Sequence, residues 1–191
     1  MKIILASSSP RRKQLMDLIG VDYEIMPSEV DETFEPGLAL EEQVKRLGFI
    51  KAKEIFDGTQ GDRTIIGSDT MVILDDIAYG KPKDRKDAIR MLKEIQGREH
   101  IVYTSLAILV EEKEQYKEYK ELFKTSIYVK SMSDEEIEEY IDKEEPFDKA
   151  GAYAIQGSFS KFVDKIYGNY AALVGLPIHR IYEILKENEI G

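Results

Sequence analysis

A carboxylate stands inside an otherwise apolar stretch of this sequence. Asp69 lies in the run from Ile65 to Lys81, which has the pattern of two β-prone segments joined at Asp75-Asp76. Burial of an isolated charge is costly, so this side chain must be paired, bind a cation or belong to a site. Gly67, two residues earlier, would let a ligand or another backbone come close. A structural carboxylate held by backbone N–H groups is the alternative interpretation.

A second chemical feature is a serine-rich loop near the N-terminus. The sequence Ser7-Ser8-Ser9-Pro10 precedes a helix expected from Arg11 to Ile19, with a proline at its first turn and a serine as its cap. Free N–H groups, hydroxyls and the positive helix end then point to one place. Three basic residues open this helix where an acid is normally preferred: Arg11, Arg12 and Lys13. They indicate an anion site, unless they simply face solvent.

Two further segments carry charges that could serve such a site. The acidic loop Ser28–Glu32 offers oxygen ligands for a metal, although runs of acids are more often solvated. Lys51 falls on the apolar face of a helix expected from Leu40 to Phe56, in line with Leu47 and Ile55. Its ammonium group either extends past the edge of the core or reaches an anion. On this pattern alone the first interpretation is favoured.

Two loops later in the chain add candidate contacts. The loop Gly80–Asp84 combines glycine and proline, which would hold Lys81 in a tight turn, while Asp84 itself is expected to cap the next helix. The stretch 145–157 has small residues and little periodicity, as expected where backbone packs against a ligand. Within it, Gln156 offers an amide that could bind the edge of a base or serve only the fold.

The composition excludes several classes of protein. With 27 Lys plus Arg against 37 Asp plus Glu, the net charge of -10 disfavours nucleic acids and anionic membranes as partners. The chain has no cysteine and two histidines, which excludes a disulfide framework and a thiolate or histidine metal cluster. Any metal would be an oxygen-liganded ion such as Mg²⁺ or Mn²⁺. No run resembles a signal peptide or a membrane span, so we expect a soluble, cytoplasmic protein of one domain.

The apolar pattern predicts an α/β protein that would position these groups. Besides the hairpin around Asp69, strands are expected at Lys2–Ala6, Val21–Met26, His100–Val110, Tyr116–Lys130 and Phe159–Ile166. Further helices are expected at Arg85–Gln96, after the capping box Ser133–Glu136 as far as Asp142, and from Pro177 to Lys186.

Several motifs in a fixed order give the chain a family resemblance. They are Ser7-Ser8-Ser9-Pro10-Arg11-Arg12, Asp31-Glu32, Lys51-Ala52, Gly67-Ser68-Asp69-Thr70, Gly80-Lys81-Pro82-Lys83-Asp84, the run from Asp148 to Gly157, and Val174-Gly175-Leu176-Pro177. Each is weak alone. Together they span nearly the whole chain and closely resemble the Maf family of nucleoside triphosphate pyrophosphatases.

The resemblance implies a fold similar to the inosine triphosphatase type. This is a long mixed, twisted sheet flanked by helices around a central cleft, here one domain of two lobes over residues 1–191, commonly a homodimer. It also implies hydrolysis of a nucleoside triphosphate to the monophosphate and pyrophosphate, with Mg²⁺ or Mn²⁺. By this resemblance Asp69 is the general base and touches the metal, and Glu32 is a metal ligand. The implied triphosphate contacts are Ser8, Arg12, Lys51 and Lys81.

The resemblance also implies a substrate. The family branch that prefers dTTP, UTP and modified pyrimidine nucleotides is similar to this chain at Arg11, Thr70 and Gln156. A second branch, which favours 7-methyl-GTP, usually has an aromatic residue in place of Arg11 and an acid in place of Gln156. A glutamine suits the carbonyl and imide edge of a pyrimidine, which an acid would repel. We therefore expect a dTTP and UTP pyrophosphatase that clears the nucleotide pool.

Other functions stay open at this point. The family's historical association suggests a regulatory nucleotide-binding protein in cell division or septum formation. A pyrophosphatase for 7-methyl-GTP, ITP or XTP would share the fold and the reaction. Two positions depart from the family's usual residues, Ser105 where a glycine is common and Ala171-Ala172 where a polar residue is common. We expect neither to touch the chemistry.

Overall fold

The computed structural model describes residues 1–144 and 146–191, and over these residues the strands form one seven-stranded sheet. The strands are β1 (Lys2–Leu5), β2 (Glu24–Ile25), β3 (Arg63–Leu74), β4 (Ile77–Tyr79), β5 (Glu99–Glu112), β6 (Gln115–Val129) and β7 (Val163–Tyr167). Their order is β2-β1-β3-β5-β6-β7, and β4 pairs with β3 outside this path. β1 is parallel to β2 and β3, whereas β4 is antiparallel to β3 and β7 to β6. The predicted mixed α/β sheet is confirmed.

A two-residue turn connects β3 to β4, and another connects β5 to β6. Asp75 and Asp76 have φ angles of 51° and 59° between β3 and β4, and Lys113 and Glu114 have φ angles of 49° and 65° between β5 and β6. Positive φ at both central residues is typical of the type I′ turn, whose twist matches that of the paired strands. The turn predicted at Asp75-Asp76 is therefore confirmed.

Six α-helices accompany the sheet within the described ranges. They are α1 (Pro10–Asp17), α2 (Leu40–Asp57), α3 (Arg85–Ile95), α4 (Asp134–Glu144), α5 (Tyr170–Val174) and α6 (Ile178–Glu187). Asp84 caps α3 by accepting the Asp87 N–H at 2.8 Å. Ser133 and Glu136 form the predicted reciprocal capping box at 2.8 and 3.2 Å. None of the described helices has both the length and the apolar character needed to cross a membrane.

The chain forms two compact units, and the first contains most of the residues singled out above. It consists of Met1–Asp69, Thr104–Phe123 and Gly175–Gly191. A buried cluster at its centre is built from Ile4, Ala6, Ala52, Ile55, Ile65, Ala107 and Leu109. The face of α2 that carries Lys51 also buries Val44 and Leu47, as its apolar spacing predicted.

The second unit consists of Thr70–Tyr103 and Lys124–Val174. It contains an aromatic cluster in which the ring of Phe159 stacks on Tyr153 with centroids 4.5 Å apart and contacts Tyr140 and Phe162. The buried His100 lies beside it, with Nε2 at 2.6 Å from the Tyr153 hydroxyl. The organisation of both units as one domain of two lobes around a cleft stays a prediction.

Some predicted boundaries were wrong. The first helix runs from Pro10 to Asp17 and not from Arg11 to Ile19. The strand expected at 21–26 is reduced to Glu24–Ile25. Beyond Met26, whose N–H donates to the Leu5 carbonyl oxygen at 3.1 Å, Pro27 has no N–H to extend the pairing.

The C-terminal third differs most from the prediction. The strand expected at Phe159–Ile166 is confirmed only from Val163 onward, within β7, whereas Ser158–Phe162 form a short 3₁₀ helix in which two phenylalanines three positions apart share one face. Helix α5 was not predicted, and its start is capped by the Asn169 side chain, which accepts the Ala172 N–H at 2.8 Å. Glu145, part of the stretch predicted to pack against a ligand, lies outside the described residues.

Candidate active site

Two glycines let helix α2 lie directly against strand β3. A Cβ atom at Gly67 would overlap the carbonyl oxygen of Gly48 and stand 2.8 Å from the amide nitrogen of Ala52. A Cβ atom at Gly48 would overlap Ser105 Oγ and stand 3.5 Å from the Asp69 nitrogen. This explains a glycine inside the helix, where it is less stable than alanine by roughly 1 kcal/mol. Lys51, one helical turn after Gly48, is thereby brought to the part of β3 that carries Asp69.

Lys51 Nζ lies between two carboxylates. It is 2.6 Å from Asp69 Oδ1 and 3.0 Å from Glu32 Oε1. The Lys51 and Asp69 side chains are 10% and 7% exposed, whereas that of Glu32 is 54% exposed. The favoured interpretation of Lys51, that its ammonium group extends past the core into solvent, is therefore wrong.

The second oxygen of Asp69 is the unusual atom of this cluster. Oδ2 is buried and has no hydrogen-bond partner among the described residues. A buried carboxylate oxygen without a donor is destabilising, and native structures rarely retain one without a use for it. Asp69 is thus bonded through one oxygen to the ammonium group of Lys51. The alternative interpretation, a carboxylate held by backbone N–H groups, does not describe this side chain.

Glu32 is carried by a loop that is fixed on both sides. Asp31 accepts the hydroxyl of Thr33 at 2.6 Å and its N–H at 2.9 Å. These two bonds, the hydroxyl first, lower the pKa of Asp31 below its ordinary value. The Glu29 N–H donates to Glu54 Oε2 on α2 at 2.9 Å. Asp31 therefore shapes the loop, and Glu32 is the acid that faces Lys51.

The serine loop caps α1 and holds a guanidinium group. Ser9 is the N-cap, and Ser7 Oγ accepts the Ser9 N–H at 3.2 Å and Arg12 Nη1 at 3.3 Å. Arg12 Nε donates to the carbonyl oxygen of Gly175 at 2.9 Å. The described first turn of α1 contains no acid to offset its basic residues. Arg12 is directed into the molecule, which agrees with the predicted anion site.

Arg12 shares an electrostatic environment with both carboxylates. Burial lowers the pKa of Arg12 from its ordinary value, while the charge of Asp69 and, more weakly, that of Glu32 oppose the shift. A guanidinium remains protonated in proteins, so Arg12 keeps its charge. The first unit therefore brings two cations, Arg12 and Lys51, close to two carboxylates, Asp69 and Glu32.

Two buried serines next to Asp69 were missed as functional candidates. The Asp69 N–H donates to Ser105 Oγ at 3.0 Å. The Ser68 hydroxyl lies 2.7 Å from the carbonyl oxygen of Ser105 and 2.9 Å from that of Gly175, which also accepts from Arg12. The expectation that Ser105 lies away from the chemistry is wrong. No sequence signal pointed to its contact, because it depends on how β5 lies beside β3.

The remaining predicted residues are placed as follows. Ser8 is exposed in the serine loop and Arg11 is half-buried at the start of α1. Thr70, which follows Asp69 in β3, belongs to the second unit together with Lys81 and Gln156. Lys81 is exposed after Gly80, and Gln156 is exposed before Gly157, which has a φ of 103°. The roles of all five residues stay predictions.

The arrangement in the first unit is suited to chemistry on an anion. Arg12 and Lys51 can neutralise phosphate oxygens, and Asp69 Oδ2 can accept a proton. Among the described residues, no three acidic or histidine side chains converge as a complete metal-binding set. A metal ion here would need further oxygen ligands from water or substrate, which is the usual habit of Mg²⁺.

The solved structures that the chain resembles include two of low sequence identity. The Staphylococcus aureus Ham1 protein aligns over 98% of this chain and 100% of its own, with 14% identity and a TM-score of 0.47. A nucleoside-triphosphatase described as a dITP/XTP pyrophosphatase from Mycobacterium abscessus covers 66% of this chain and 74% of its own, with 18% identity and a TM-score of 0.37.

Comparison of sequences gives a closer match. A dTTP/UTP pyrophosphatase of a Thermoanaerobacter species is 44% identical over 186 residues, which cover 97% of this chain and 96% of the relative. The dTTP/UTP pyrophosphatase of Caldicellulosiruptor bescii is 42% identical over 189 residues, covering 97% and 94%. Residues 2–188 match the family described as Maf-like protein. The chain belongs to the Maf-like protein family.

Proposed function

We propose that this protein hydrolyses dTTP and UTP to the nucleoside monophosphates and pyrophosphate. The observation that carries the reaction is the buried Asp69 carboxylate, whose Oδ1 is bonded to Lys51 and whose Oδ2 has no partner in the described chain. Such an oxygen can take a proton from water beside cations that attract a triphosphate. The substrate class is supported by relatives that are named dTTP/UTP pyrophosphatase and match nearly the full chain.

The proposed reaction breaks the bond between the α-phosphorus and the oxygen that links it to the β-phosphate. A water oxygen attacks the α-phosphorus, and pyrophosphate leaves with the bridging oxygen and the bonding electrons. Asp69 Oδ2 accepts a proton from the attacking water, while Oδ1 stays bonded to Lys51 Nζ. General base catalysis of this kind contributes roughly 10²- to 10⁴-fold in rate.

The cations of the site act on the phosphates in this proposal. Arg12 and Lys51 offset the charge that develops on the departing pyrophosphate. Arg12 is held by Ser7 Oγ and by the Gly175 carbonyl, so its side chain loses little conformational freedom when it binds a phosphate. Ser8 would add hydroxyl or N–H donors at the start of the helix, and Lys81 a further cation.

A divalent ion, Mg²⁺ or Mn²⁺, fits the donor set. Asp69 and Glu32 both approach Lys51 Nζ, so two carboxylates, which are hard oxygen donors, lie close together. These two carboxylates would hold the ion, in keeping with sites that use one or two carboxylates plus substrate phosphates. When bound, the ion would neutralise phosphate charge and orient the triphosphate.

Substrate choice is assigned to the three residues singled out by sequence. Arg11, Thr70 and Gln156 would together favour a pyrimidine base over a purine. The Gln156 amide can donate to a base carbonyl and accept from the imide N–H of thymine or uracil. Cytosine presents the reverse donor pattern at these positions, so CTP should be a poorer substrate. The Gln156 amide can also flip and exchange its donor and its acceptor. The preference for dTTP and UTP over CTP should therefore be smaller than the preference for pyrimidines over purines.

A substrate panel tests the proposal. Pyrophosphate release would be measured with Mg²⁺ or Mn²⁺ from dTTP, UTP, CTP, 5-methyl-UTP, 7-methyl-GTP, ITP and XTP. We expect turnover to be highest with dTTP, UTP and 5-methyl-UTP. Turnover confined to 7-methyl-GTP, ITP or XTP would keep the reaction and reject the specificity residues. Absence of turnover with every nucleotide would reject the enzyme and favour the regulatory nucleotide-binding function.

The wider biological context belongs to the same proposal. A role in clearing the nucleotide pool agrees with a cytoplasmic location, a homodimer and no nucleic acid or membrane partner. The net charge of -10 supports the last point, because such a field repels polyanions and leaves a local cationic site to bind a triphosphate. All of these remain predictions.

A further inference from the structure

The backbone that carries Asp69 is tied to a side chain of the neighbouring strand. Ser105 in β5 is fully buried, and its Oγ accepts the Asp69 N–H at 3.0 Å. The same Oγ lies 3.5 Å from the Asp69 carbonyl oxygen. One hydroxyl therefore contacts both polar backbone atoms of the proposed general base.

Helix α2 leaves space for this hydroxyl. A Cβ atom at Gly48 would overlap Ser105 Oγ, stand 3.1 Å from Ser105 Cβ and stand 3.5 Å from the Asp69 nitrogen. Lys51, which bonds Asp69 Oδ1, lies one turn further along the same helix. The Ser105 hydroxyl is thus enclosed between the strand that presents the carboxylate and the helix that presents its cation.

We propose that Ser105 is a positioning residue, which holds the Asp69 backbone so that its carboxylate meets Lys51 with Oδ1 and faces the reacting water with Oδ2. This inference rests on the proposed function. Removal of the hydroxyl leaves a buried amide without its acceptor, and the backbone must shift to relieve it. A small displacement of a reacting group is enough to lower a rate strongly, because catalysis depends on its alignment.

Kinetics of Ser105→Ala give the first test. The substitution removes the acceptor and keeps Cβ. We expect kcat for dTTP to fall roughly 10- to 100-fold and KM to change less than about twofold, because Arg12 and Lys51 still bind the phosphates. Thr64→Val is the matched control, since it removes another buried hydroxyl of unit one, located in β3 beside Met1 Sδ at 3.2 Å. Its kcat should stay within about twofold of the wild type.

Gly48 provides a second variant that leaves Ser105 unchanged. Gly48→Ala should lower kcat about as much as Ser105→Ala, because the new methyl group displaces the hydroxyl, even though alanine favours the helix. The double variant removes the overlap with Oγ and keeps the 3.1 Å contact between the two Cβ atoms, so its thermal stability should rise above that of Gly48→Ala. Its kcat should stay low, because the Asp69 N–H still lacks an acceptor. Recovery of both stability and kcat would show a packing role and overturn the proposal.

An activity-independent measurement separates this proposal from the proposed function. Amide hydrogen exchange and the ¹³C resonance of the Asp69 carboxyl carbon would be followed by NMR in the wild type, Ser105→Ala and Thr64→Val. We expect at least about tenfold faster exchange at the Asp69 amide, with a shifted carboxyl resonance, in Ser105→Ala alone.

Every outcome of these measurements decides one of the two claims. An unchanged amide and carboxyl signal in Ser105→Ala would overturn the positioning role, whatever the activity. Changed signals with an unchanged kcat would also overturn it, because the displacement would have no consequence for the reaction. A wild type that releases no pyrophosphate from any nucleotide would reject the proposed function, while the NMR signals would still decide whether Ser105 sets the Asp69 carboxylate.

Discussion

Two buried cations in the first unit, Lys51 and Arg63, have opposite surroundings. Arg63 donates to the carbonyl oxygens of Gly61 and Phe56 at 2.6 and 3.1 Å, pairs with Glu111, and lies 4.1 Å above the Phe56 ring. Lys51 bonds only the side chains of two carboxylates in the described structure. The Arg63 guanidinium group is bonded to two backbone carbonyls and a carboxylate, and together these bonds fasten the chain. A cation bonded to side-chain carboxylates alone can exchange them for the oxygens of a ligand.

The number of carboxylates that face each cation also differs. Arg63 faces one carboxylate, which is 32% exposed, and the pair is locally neutral. Lys51 faces two, those of Asp69 and Glu32. We infer that Arg63 contributes to stability and Lys51 to chemistry.

Removal of the Lys51 charge should have the largest effect. Lys51→Met keeps an unbranched side chain but leaves Asp69 and the triphosphate without this cation. We expect kcat for dTTP to fall roughly 10²- to 10³-fold, as when one preorganised donor to a transition state is lost. Lys53→Met, two residues along α2 in an exposed pair with Asp57, is the control and should stay within about twofold. Equal losses in the two variants would contradict a specific role of Lys51.

Removal of the Arg63 charge should change stability and not turnover. Arg63→Met leaves two backbone carbonyls without their donor and Glu111 without its partner. We expect the free energy of unfolding in urea to fall by about 3 kcal/mol, with kcat at 20 °C within about twofold of wild type. The exposed pair Lys2–Glu24 supplies the control, and Lys2→Met should cost less than about 1 kcal/mol. A loss of turnover without loss of stability in Arg63→Met would reverse the division.

His100, a buried titratable side chain of the second unit, provides a comparison with the two buried cations of the first. Burial lowers the pKa of His100 to about 4, with Arg98 acting in the same direction. Above pH 6.5 the imidazole is neutral in both the folded and the unfolded chain, so its full contribution is present. As the pH falls from about 6.5 to 4, the unfolded chain binds the proton first, and roughly 3 kcal/mol of stability is lost.

Urea denaturation as a function of pH measures this loss. His100→Leu should shift the whole stability curve, because Tyr153 loses its partner, and should also remove this part of the slope between pH 6.5 and 4. An unchanged slope in the variant would show that other groups cause the acid loss.

The smallest effect is expected at Glu32, whose side chain is half exposed. Glu32→Gln keeps the shape but weakens one contact to Lys51 and to a metal ion. We expect the Mg²⁺ or Mn²⁺ concentration for half-maximal turnover to rise roughly tenfold, the equivalent of about one charge-assisted contact. Glu35→Gln in the same acidic region, paired with Arg46 at 2.5 Å, is the control and should leave the metal dependence unchanged.

The sequence predicted those parts of the fold that local chemistry determines. The caps at Asp84 and Ser133, the turn at Asp75-Asp76 and the apolar face of α2 depend on neighbours within a few residues, and each was confirmed. The segment 159–162 was mistaken for the first half of a strand, of which only the second half formed. Its aromatic residues pack against distant partners in the second unit, and local β propensity did not reveal that packing.

The candidate site was predictable by residue type but not by contact. An acid in an apolar run indicated a partner for Asp69, whereas the pattern around Lys51 favoured an ammonium group that extends past the edge of the core, so neither pattern joined Asp69 to Lys51. Their pairing depends on the close approach of α2 and β3 at Gly48 and Gly67, which only the three-dimensional structure shows. Ser105 was set aside for the same reason, since its contact to Asp69 crosses between two strands.

The most direct test of the account is pyrophosphate release from dTTP by Asp69→Asn. The variant keeps the shape of the side chain and removes the oxygen that would accept the proton. Asp84→Asn is the control, because asparagine caps a helix about as well as aspartate. With circular dichroism and dTTP affinity preserved, we predict a rate at least about 100-fold below wild type for Asp69→Asn and an unchanged rate for the control. A rate for Asp69→Asn within about twofold of wild type would contradict the assignment of Asp69 as the general base.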